Sequence, residues 1–433
     1  MAAREGGRAL TVPDATIQAA LKAVDAQFEQ TVSLLQEFVR IPSVIGDEGQ
    51  AQQWAAARMR ELGLGIREVL IPDEELMKHP SAVEGPWRSE GRPNIIGRWK
   101  GRGTGSSLLL NAHVDVVSEE PRSQWTREPY GATIEGDRMY GRGALDMKGG
   151  WLAIYAALRA LRTTDFQPGG DLVFQSVVEE EGGGTHGTLA TFLAGETGDA
   201  MIIPEPLWSH LVIGHPGILY FRVEIDGHSV HAALAHHGVS ALFEILPIIE
   251  ALKALDEDRA QRLHLEPFER LPGAQGQSVH LNLGSLQAGD WPSTVPGQAV
   301  LEGRVSYLPF EEADEVMAAI TGTILGAATS PWLVDHPPRI SWPGWRGVPW
   351  LQDPEHPFVQ HAIDAIGAER GRPPGLAADT AGLDARFAGE FGVPCVVFGP
   401  DGENLHGIDE WVSLSSVRVV ARSLVRLICS WSG

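Results

Sequence analysis

At 433 residues the chain is too long for one ordinary hydrophobic core, so we expect two domains. Hydrophobic residues make up 43% of the sequence, as in globular proteins, and no segment approaches the run of ~18 apolar residues that a membrane span needs. The net charge of -22 argues against nucleic acid or an anionic membrane surface as a partner.

The N-terminal part of the chain predicts a cytoplasmic protein that opens with a helix. The first residues, MAAREGGRALTVPD, contain no apolar stretch of the kind found in secretion signals. Apolar residues then recur at helical spacing over residues 14–40, and Pro42 ends this pattern. The sequence therefore predicts one amphipathic helix over residues 14–40.

Short apolar segments bounded by turn residues follow, with helical stretches between them. Strands that alternate with helices indicate a largely parallel sheet covered by helices on both faces. A stretch rich in Pro, Glu and Gly, residues 72–92, is predicted to be a surface loop. With only two cysteines a disulfide framework is excluded, and Cys395 in VPCVVFG is expected to be a core residue. The predicted strands cover residues 94–99, 107–111, 172–178, 200–203 and 394–398.

The pattern changes between about 216 and 345. ILYFRVEIDG predicts a strand, residues 239–255 a helix, SVHLNLGSL and QAVLEGRVSY two strands, residues 311–325 a helix, and PRISW a last strand. This β-α-β-β-α-β order is that of a ferredoxin-like domain. We therefore predict an α/β catalytic domain formed by residues 1–215 and 346–433, with a lid or dimerisation domain, residues 216–345, inserted into it.

Acidic residues and histidines follow several of the predicted strands. In open α/β sheets ligands bind at the carboxyl ends of the strands, so chemistry is expected there. Carboxylates gathered in one pocket repel each other unless cations lie among them, and imidazole with carboxylate suits zinc and related metals. The sequence therefore predicts a metal site with two ions. The residues concerned are His113, Asp115, Asp146, Glu179, Glu180, Glu181, Glu205 and His406.

Several of these residues also have a structural interpretation. In LLLNAHVDVV, His113 and Asp115 project to the same side of an extended chain, so Asp115 is expected to accept the ring N–H of His113 and leave the other nitrogen for a metal. A local hydrogen bond in a turn is the alternative. Asp146, in the glycine-rich GRGALDMKGG, could instead cap the following helix, and three adjacent glutamates often form only a solvated charge run.

The order of the motifs resembles the M20 family of co-catalytic metallopeptidases and deacylases. That family includes acetylornithine deacetylase, succinyl-diaminopimelate desuccinylase, aminoacylase-1 and a glutamate carboxypeptidase. The resemblance extends from LLQEFVRIPSV, residues 34–44, to residue 411. It rests on HVDVV, GRGALDMKGG, EEEGGGTHGT, IIPEP, GHSVHA, FGP and LHGIDEW, in this order.

The resemblance implies a role for each residue and a cofactor. Asp146 would bridge two ions, Asp115 would act in catalysis by orienting the first histidine ligand, and Glu180 would be the general base. A register shift of one would instead make Glu179 the base and Glu180 the ligand, and this alternative stays open. The implied cofactor is two Zn²⁺ per chain, with Co²⁺ or Mn²⁺ as alternatives. The implied metal ligands are His113, Asp146, Glu181, Glu205 and His406.

Further site residues are implied in and after the inserted domain. His231, in GHSVHAA, matches a catalytic histidine that commonly reaches the active site from the partner subunit, so a homodimer through the lid domain is expected. Arg304, in QAVLEGRVSY, is a candidate for binding a substrate carboxylate as a bidentate pair. Asp384 and Arg386, in AGLDAR, are further substrate-binding candidates, although Leu383 replaces the usual Thr or Ser.

Three functions are compatible with this residue set. The first is a deacylase of the acetylornithine deacetylase type, which cleaves the amide bond of small N-acyl amino acids. The second is an exopeptidase or dipeptidase with the same metal centre. The third is a non-catalytic ligand-binding homologue, and Glu180 argues against it because a binding protein has no need of a base. We expect metal-assisted amide hydrolysis, in which Glu180 takes a proton from water and returns it to the leaving amine.

Overall fold

The computed structural model describes residues 12–344 and 346–433. The expectation of a cytoplasmic location rests partly on residues 1–11, which lie outside the described residues. Residue 345, at which the predicted inserted domain ends, also lies outside them. The chain divides into two units. The first contains residues up to Ile213, Gln352–Leu376 and Leu383–Gly433, and the second contains Gly214–Leu351 and Ala377–Gly382.

Helices and strands alternate through most of the described chain. The helices are α1 (Asp14–Ala26), α2 (Phe28–Val39), α3 (Gly49–Glu61), α4 (Asp73–Leu76), α5 (Gly149–Arg162), α6 (Ala190–Leu193), α7 (Ala241–Glu244), α8 (Leu246–Arg262), α9 (Ala313–Ala327), α10 (Pro331–Asp335), α11 (Pro357–Arg370), α12 (Ala385–Glu390) and α13 (Leu414–Ser432). The strands are β1 (Gly65–Val69), β2 (Asn94–Trp99), β3 (Leu108–His113), β4 (Thr133–Glu135), β5 (Arg138–Tyr140), β6 (Leu172–Val177), β7 (Met201–Ile203), β8 (His210–His215), β9 (Gly217–Asp226), β10 (Leu281–Ala288), β11 (Gln298–Tyr307), β12 (Arg339–Ser341), β13 (Arg346–Gly347), β14 (Trp350–Leu351), β15 (Gly375–Ala378), β16 (Cys395–Val397), β17 (Gly402–Glu403) and β18 (Trp411–Ser413).

The main sheet of the first unit has the order β1-β2-β6-β3-β7-β16-β8. Its centre is parallel, since β3 runs parallel to β6 and β7, and β7 runs parallel to β16. All six residues of β3 and all six of β6 are buried. Because neighbouring residues of a strand face opposite sides, this burial means that both faces of the sheet are covered. The predicted α/β fold with a mostly parallel sheet is confirmed.

The N-terminal helix differs from the prediction. Residues 14–40 form two helices, α1 and α2, that are separated at Gln27 (φ -101°, ψ 7°). Both helices bury apolar residues, among them Leu21, Val24, Leu35 and Val39, so the helical spacing was identified correctly and only the break was not. A single residue outside helical geometry leaves no mark on hydrophobic periodicity.

The second unit contains an antiparallel sheet with the order β10-β11-β9-β12, and β13 also pairs with β9. With the first helices after β9 and the next after β11, this is the predicted β-α-β-β-α-β order. Apolar residues of β9, β11, α8 and α9 form its core. The unit therefore has a hydrophobic core of its own.

The parallel strands of the first unit place the candidate residues at one edge of the sheet. β3 ends at His113, β6 ends at Val177 just before the three glutamates, and β7 ends at Ile203 just before Glu205. Parallel strands share one carboxyl edge, so side chains that follow these strands converge.

No helix among the described residues is both long enough and apolar enough to cross a membrane.

Candidate metal centre

Two groups of potential metal ligands meet at Asp146. The buried triad consists of His113, Asp146 and Glu205, and the open triad consists of Asp146, Glu181 and His406; within each, the ligand atoms lie within 4.8 Å of one another. Asp146 Oδ1 lies 3.1 Å from His113 Nε2, and Asp146 Oδ2 lies 3.1 Å from His406 Nε2. His113 Nε2 is 3.4 Å from Glu205 Oε1, and His406 Nε2 is 2.8 Å from Glu181 Oε1. Asp146 therefore presents one oxygen to each triad.

A buried glutamate fixes the turn that carries Asp146. Glu410 is fully buried, and its carboxylate accepts the backbone N–H groups of Gly143, Leu145 and Asp146 at 2.9 to 3.1 Å. Arg142 donates to Glu410 at 2.6 Å and also to the carbonyl of His406 at 3.1 Å. The pair formed by Arg142 and Glu410 thus joins the Asp146 turn to the loop of His406. Asp146 and His406 are about 260 positions apart in the sequence.

Asp115 contacts the site differently from the expectation. The ring nitrogen Nδ1 of His113 lies 2.9 Å from the backbone carbonyl of Asp115 and 3.5 Å from its carboxylate. The carboxylate instead accepts the backbone N–H groups of Glu180 and Glu181 at 3.2 and 3.1 Å. Asp115 therefore fixes His113 through its carbonyl, with Nε2 left towards the triad, and it orients the glutamate residues through its side chain.

The three adjacent glutamates have different surroundings. We call residues 179–188 the glutamate turn. Glu179 is 1% exposed, has a left-handed backbone (φ 60°), and its carboxylate contacts Arg92 at 3.0 Å and His186. Glu181 belongs to the open triad. These contacts favour Glu180 as the base over the shifted register, because the carboxylate of Glu179 is engaged by Arg92 and His186 and belongs to neither triad.

Glu180 lies among other acidic groups. Burial, followed by the charges of Asp384 and Glu205, raises the pKa of Glu180 well above its ordinary value. A carboxylate with a raised pKa holds a proton more firmly than an exposed one, and this is the property that a general base at neutral pH needs. The electrostatics at this position therefore suit proton transfer.

The triads are also electrostatically incomplete without cations. Burial raises the pKa of Glu205 and of Glu181 above their ordinary values, whereas hydrogen bonds to His113 and His406 keep the pKa of buried Asp146 low. Hydrogen bonds to Asp146 and Glu181 raise the pKa of His406 to about 10. Two imidazoles and three carboxylates converging in this way match the nitrogen and oxygen ligands of Zn²⁺ and its neighbours. The donor set therefore fits two divalent ions.

Asp384 and Arg386 contact the glutamate turn from another side. Arg386 donates to the carbonyl of Gly183, and Asp384 accepts from Thr188 and lies against Gly184. The other carboxylate oxygen of Asp384, Oδ2, has no hydrogen-bond partner among the described residues. Both side chains are nearly fully buried. Their substrate-binding role stays a prediction, and the structure shows them supporting the turn that carries Glu180.

His231 and Arg304 belong to the second unit. His231 is exposed, and its Nδ1 accepts the backbone N–H of Ala233 at 3.1 Å, so the other ring nitrogen, Nε2, carries the proton of the neutral ring. The backbone of His231 pairs with Thr294. Arg304 donates to the carbonyl of Thr380 at 2.9 Å and lines a cavity of about 650 Å³ on the sheet of this unit. The catalytic and substrate-binding roles of these two residues stay predictions.

Several residues that hold the site were missed by sequence reasoning. Their contacts join segments far apart in the chain, so no local spacing indicates them. Glu410 had a signal, since it lies in the LHGIDEW motif, but its partners could not be inferred. Lys148 is fully buried and donates to the backbone carbonyls of Phe38, near the end of α2, and of Ile41, just after that helix. Burial lowers the pKa of Lys148 to about 7. The missed residues are Arg92, Arg142, Lys148, His186 and Glu410.

The chain resembles known proteins over most of its length. The profile of the family described as "Peptidase family M20/M25/M40" matches residues 109–430. An N-formyl-4-amino-5-aminomethyl-2-methylpyrimidine deformylase of Halalkalibacterium halodurans is 26% identical over 96% of this chain and 97% of its own. A succinyl-diaminopimelate desuccinylase of Methylorubrum extorquens is 29% identical over 89% and 94%. The crystal structure of human carnosine dipeptidase 1 has a TM-score of 0.75 at 17% identity, covering 97% and 99%, which shows a shared fold.

Proposed function

The chain belongs to the M20 peptidase family, and from this membership we propose that it hydrolyses the amide bond of N-acyl amino acids at a centre of two divalent metal ions. The observation that carries the proposal is the position of Asp146, whose two oxygens face two separate groups of ligands. If each group held an ion, Asp146 would supply one carboxylate oxygen to each of them, as suits a two-metal hydrolytic site. Glu180, beside this pair of groups, supplies the base.

The residues of the chain have separate tasks in this reaction. When bound, the ions supply Lewis acidity and lower the pKa of water towards neutrality. Glu180 takes a proton from the attacking water, whose oxygen bonds to the amide carbon, and the same proton passes to the nitrogen as the C–N bond breaks. The products are a carboxylate and an amine. The Nε2–H of His231 is a donor of the kind that stabilises the negative charge on the carbonyl oxygen.

The acyl group distinguishes the proposal from a peptidase. The two relatives named above are a deformylase and a desuccinylase, and both names describe removal of an acyl group from nitrogen. This supports a deacylase, with acetylornithine-type substrates included, over a dipeptidase. We propose zinc as the metal, with Co²⁺ or Mn²⁺ as alternatives, because imidazole and carboxylate ligands suit all three. The cytoplasmic location stays a prediction.

A substrate panel tests the proposed function. Purified protein, analysed for metal content, is incubated with N-formyl, N-acetyl and N-succinyl amino acids and with dipeptides, and the released amine is measured. We expect two ions per chain and faster hydrolysis of at least one acyl amino acid than of any dipeptide. Hydrolysis of dipeptides alone would establish the peptidase instead. A metal-loaded protein that hydrolyses nothing in the panel would contradict both.

Metal binding is expected to release protons. The pKa of His406 is raised to about 10, so its ring is protonated at pH 7 in the metal-free protein, whereas a metal ligand must be neutral. Affinity at the open triad should therefore rise between pH 7 and pH 9, by about tenfold per pH unit for each proton released. Calorimetry in two buffers of different ionisation enthalpy measures the release. An affinity that does not change with pH would contradict this assignment, and His406→Ala should release fewer protons.

We also propose that the protein is a homodimer through the second unit. β10 pairs only with β11 among the described strands, so one of its edges is open, and open edges are usually covered. Large apolar side chains are also exposed in this unit, which favours burial against a partner of the same kind. They include Leu234, Phe243, Leu246, Leu286 and Trp291, which are 41 to 69% exposed.

A mixing experiment tests whether His231 acts across the dimer. His231→Ala and Glu180→Gln proteins should each be nearly inactive, because one lacks the carbonyl donor and the other lacks the base. Co-refolded at equal amounts, they should regain about a quarter of wild-type activity, since half of the dimers are mixed and each has one intact site of two. Sedimentation measures the dimer independently. A monomer at working concentration, or a mixture without recovered activity, would show that His231 does not act on a partner's substrate.

A further inference from the structure

Residues 72–92, predicted as a surface loop, lie along the glutamate turn. We call this segment the strap. Its first part, α4, carries Asp73, and its last residue is Arg92. Four of its residues contact the glutamate turn: Asp73, Val83, Trp87 and Arg92. The strap is thus attached to this turn at both of its ends and in its middle.

The two ends are attached through a chain of charged groups. Arg92 donates to Glu48 at 2.8 and 3.0 Å and to Glu179 at 3.0 Å. His186 contacts Glu179 through Nδ1 and Asp73 through Nε2, the latter at 3.2 Å. Acidic and basic side chains alternate along this chain. Both ring nitrogens of His186 therefore lie against a carboxylate oxygen.

Burial makes this chain of charges sensitive to change. Glu48, Arg92, Glu179 and His186 are between 0 and 4% exposed. Buried ion pairs are strongly perturbed when one partner is removed, because the other is left as an uncompensated charge. Glu179, in the middle, has a left-handed backbone (φ 60°) and directly precedes Glu180. The contacts of its side chain therefore hold a strained backbone position next to the base.

The middle of the strap is attached by packing and by backbone contacts. The ring of Trp87 lies over Gly46 and Gly182, where an added Cβ would meet ring atoms at 2.8 and 2.7 Å. Gly182 directly follows Glu181, so the ring rests on the turn itself. The backbone N–H of Val83 donates to the hydroxyl of Thr185 at 2.7 Å, and both residues are buried.

We propose that Asp73, Trp87 and Arg92 are positioning residues, which hold the glutamate turn so that Glu180 and Glu181 face the ions. The proposal rests on the proposed function, because it assigns the ions to the two triads. The positioning role should affect the two triads differently. The open triad takes Glu181 from the glutamate turn, whereas the buried triad takes no ligand from it. Loosening the strap should therefore weaken one ion and leave the other in place.

Trp87→Ala and Asp73→Asn are suitable test variants because both side chains are partly exposed, so folding is expected to survive. Co²⁺ titration, followed by visible absorption and calorimetry, measures the two affinities. We expect the ion of the open triad to lose about 10- to 100-fold in affinity and the other to remain unchanged, as for supporting residues around metal ligands. The variants should then resemble His406→Ala, which removes a ligand of the open triad alone.

Ser81→Ala is the matched control. Ser81 lies in the same segment, but its hydroxyl donates to Glu390 at 2.8 Å, which is not part of the glutamate turn. Both ions should bind to it as to wild type. Limited trypsin digestion reports on the strap without any metal: Lys78 and Arg88 are exposed, and cleavage after them should be faster in Trp87→Ala than in wild type.

The outcomes separate this proposal from the proposed function. A wild-type protein that binds no divalent ion would refute the metal centre and the positioning role with it. Two ions in wild type together with unchanged affinities in Trp87→Ala and Asp73→Asn would refute only the positioning role. Equal loss of both ions in these variants would also refute it, since the strap would then support the whole site and not the glutamate turn.

Discussion

Replacing Glu180 by glutamine is expected to lower hydrolysis by about 100-fold or more while both metal ions stay bound. Glutamine keeps the size and most of the hydrogen bonding of glutamate but cannot accept a proton. Glu180 belongs to neither triad, so the ligand sets are unchanged by the substitution. The measurement is kcat on the best substrate of the panel, together with metal content per chain.

The matched substitution is Glu181→Gln, one residue along the same turn. Glu181 is a member of the open triad, so this variant should lose affinity for one ion, which Glu180→Gln should not. The two variants thus separate loss of the base from loss of a ligand. Substantial activity in Glu180→Gln would remove the base from this position. It would not pass to Glu179 without a rearrangement, because that carboxylate is buried against Arg92 and His186.

The strands were the part of the fold that the sequence predicted well. β2 has the predicted bounds, β6 and β7 differ from the predicted strands by one residue at one end, and β3 and β16 differ by one or two residues at both ends. Hydrophobic runs between turn residues are a local signal, so such strands can be identified without tertiary information. The residues that follow them converge because the strands are parallel. The two triads then contain the five residues that the family resemblance implied as ligands.

What the sequence did not predict depends on contacts between distant segments. The loop over residues 72–92 has the composition of a surface loop, and nothing local indicates that Arg92 reaches Glu179, 87 positions away. The same holds for Glu410, which lies 264 positions from Asp146, whose N–H it accepts. Polar residues inside the parallel sheet are a third case. Asn111 and Gln175, on neighbouring strands, form a hydrogen bond of 3.1 Å. Asn111 also donates to the hydroxyl of Thr188, which is hydrogen-bonded to Asp384.

The sequence predicted that Asp115 lies beside His113, but not which atoms of Asp115 form the hydrogen bonds. Spacing of two residues correctly placed Asp115 beside His113, but an extended chain offers both a carbonyl and a carboxylate within reach of the ring. The carbonyl accepts the ring N–H, and the carboxylate is free to bind two backbone N–H groups of the glutamate turn. Asp115 thus couples the first histidine ligand to the base, a role that required the position of β6 next to β3.

Replacing Asp146 by alanine is expected to cost both ions, and this is the largest effect on metal binding that the structure implies. Its two oxygens lie 3.1 Å from His113 Nε2 and from His406 Nε2, so each triad loses a carboxylate oxygen at once. Without it, the remaining carboxylates and imidazoles lack the anionic group between them that two neighbouring cations need. Metal content and Co²⁺ affinity are the measurements.

The comparison with single-triad variants makes this result interpretable. His406→Ala should weaken the open triad alone, and Glu205→Gln the buried triad alone, because each residue belongs to one group. If the bridge is real, Asp146→Ala should lose more than either, and hydrolysis should fall below that of both. Asp146→Asn keeps the turn held by Glu410, because the backbone N–H groups that it accepts are unchanged. Two tightly bound ions in both Asp146 variants would show that the two triads bind metal independently, and the bridging role would have to be abandoned.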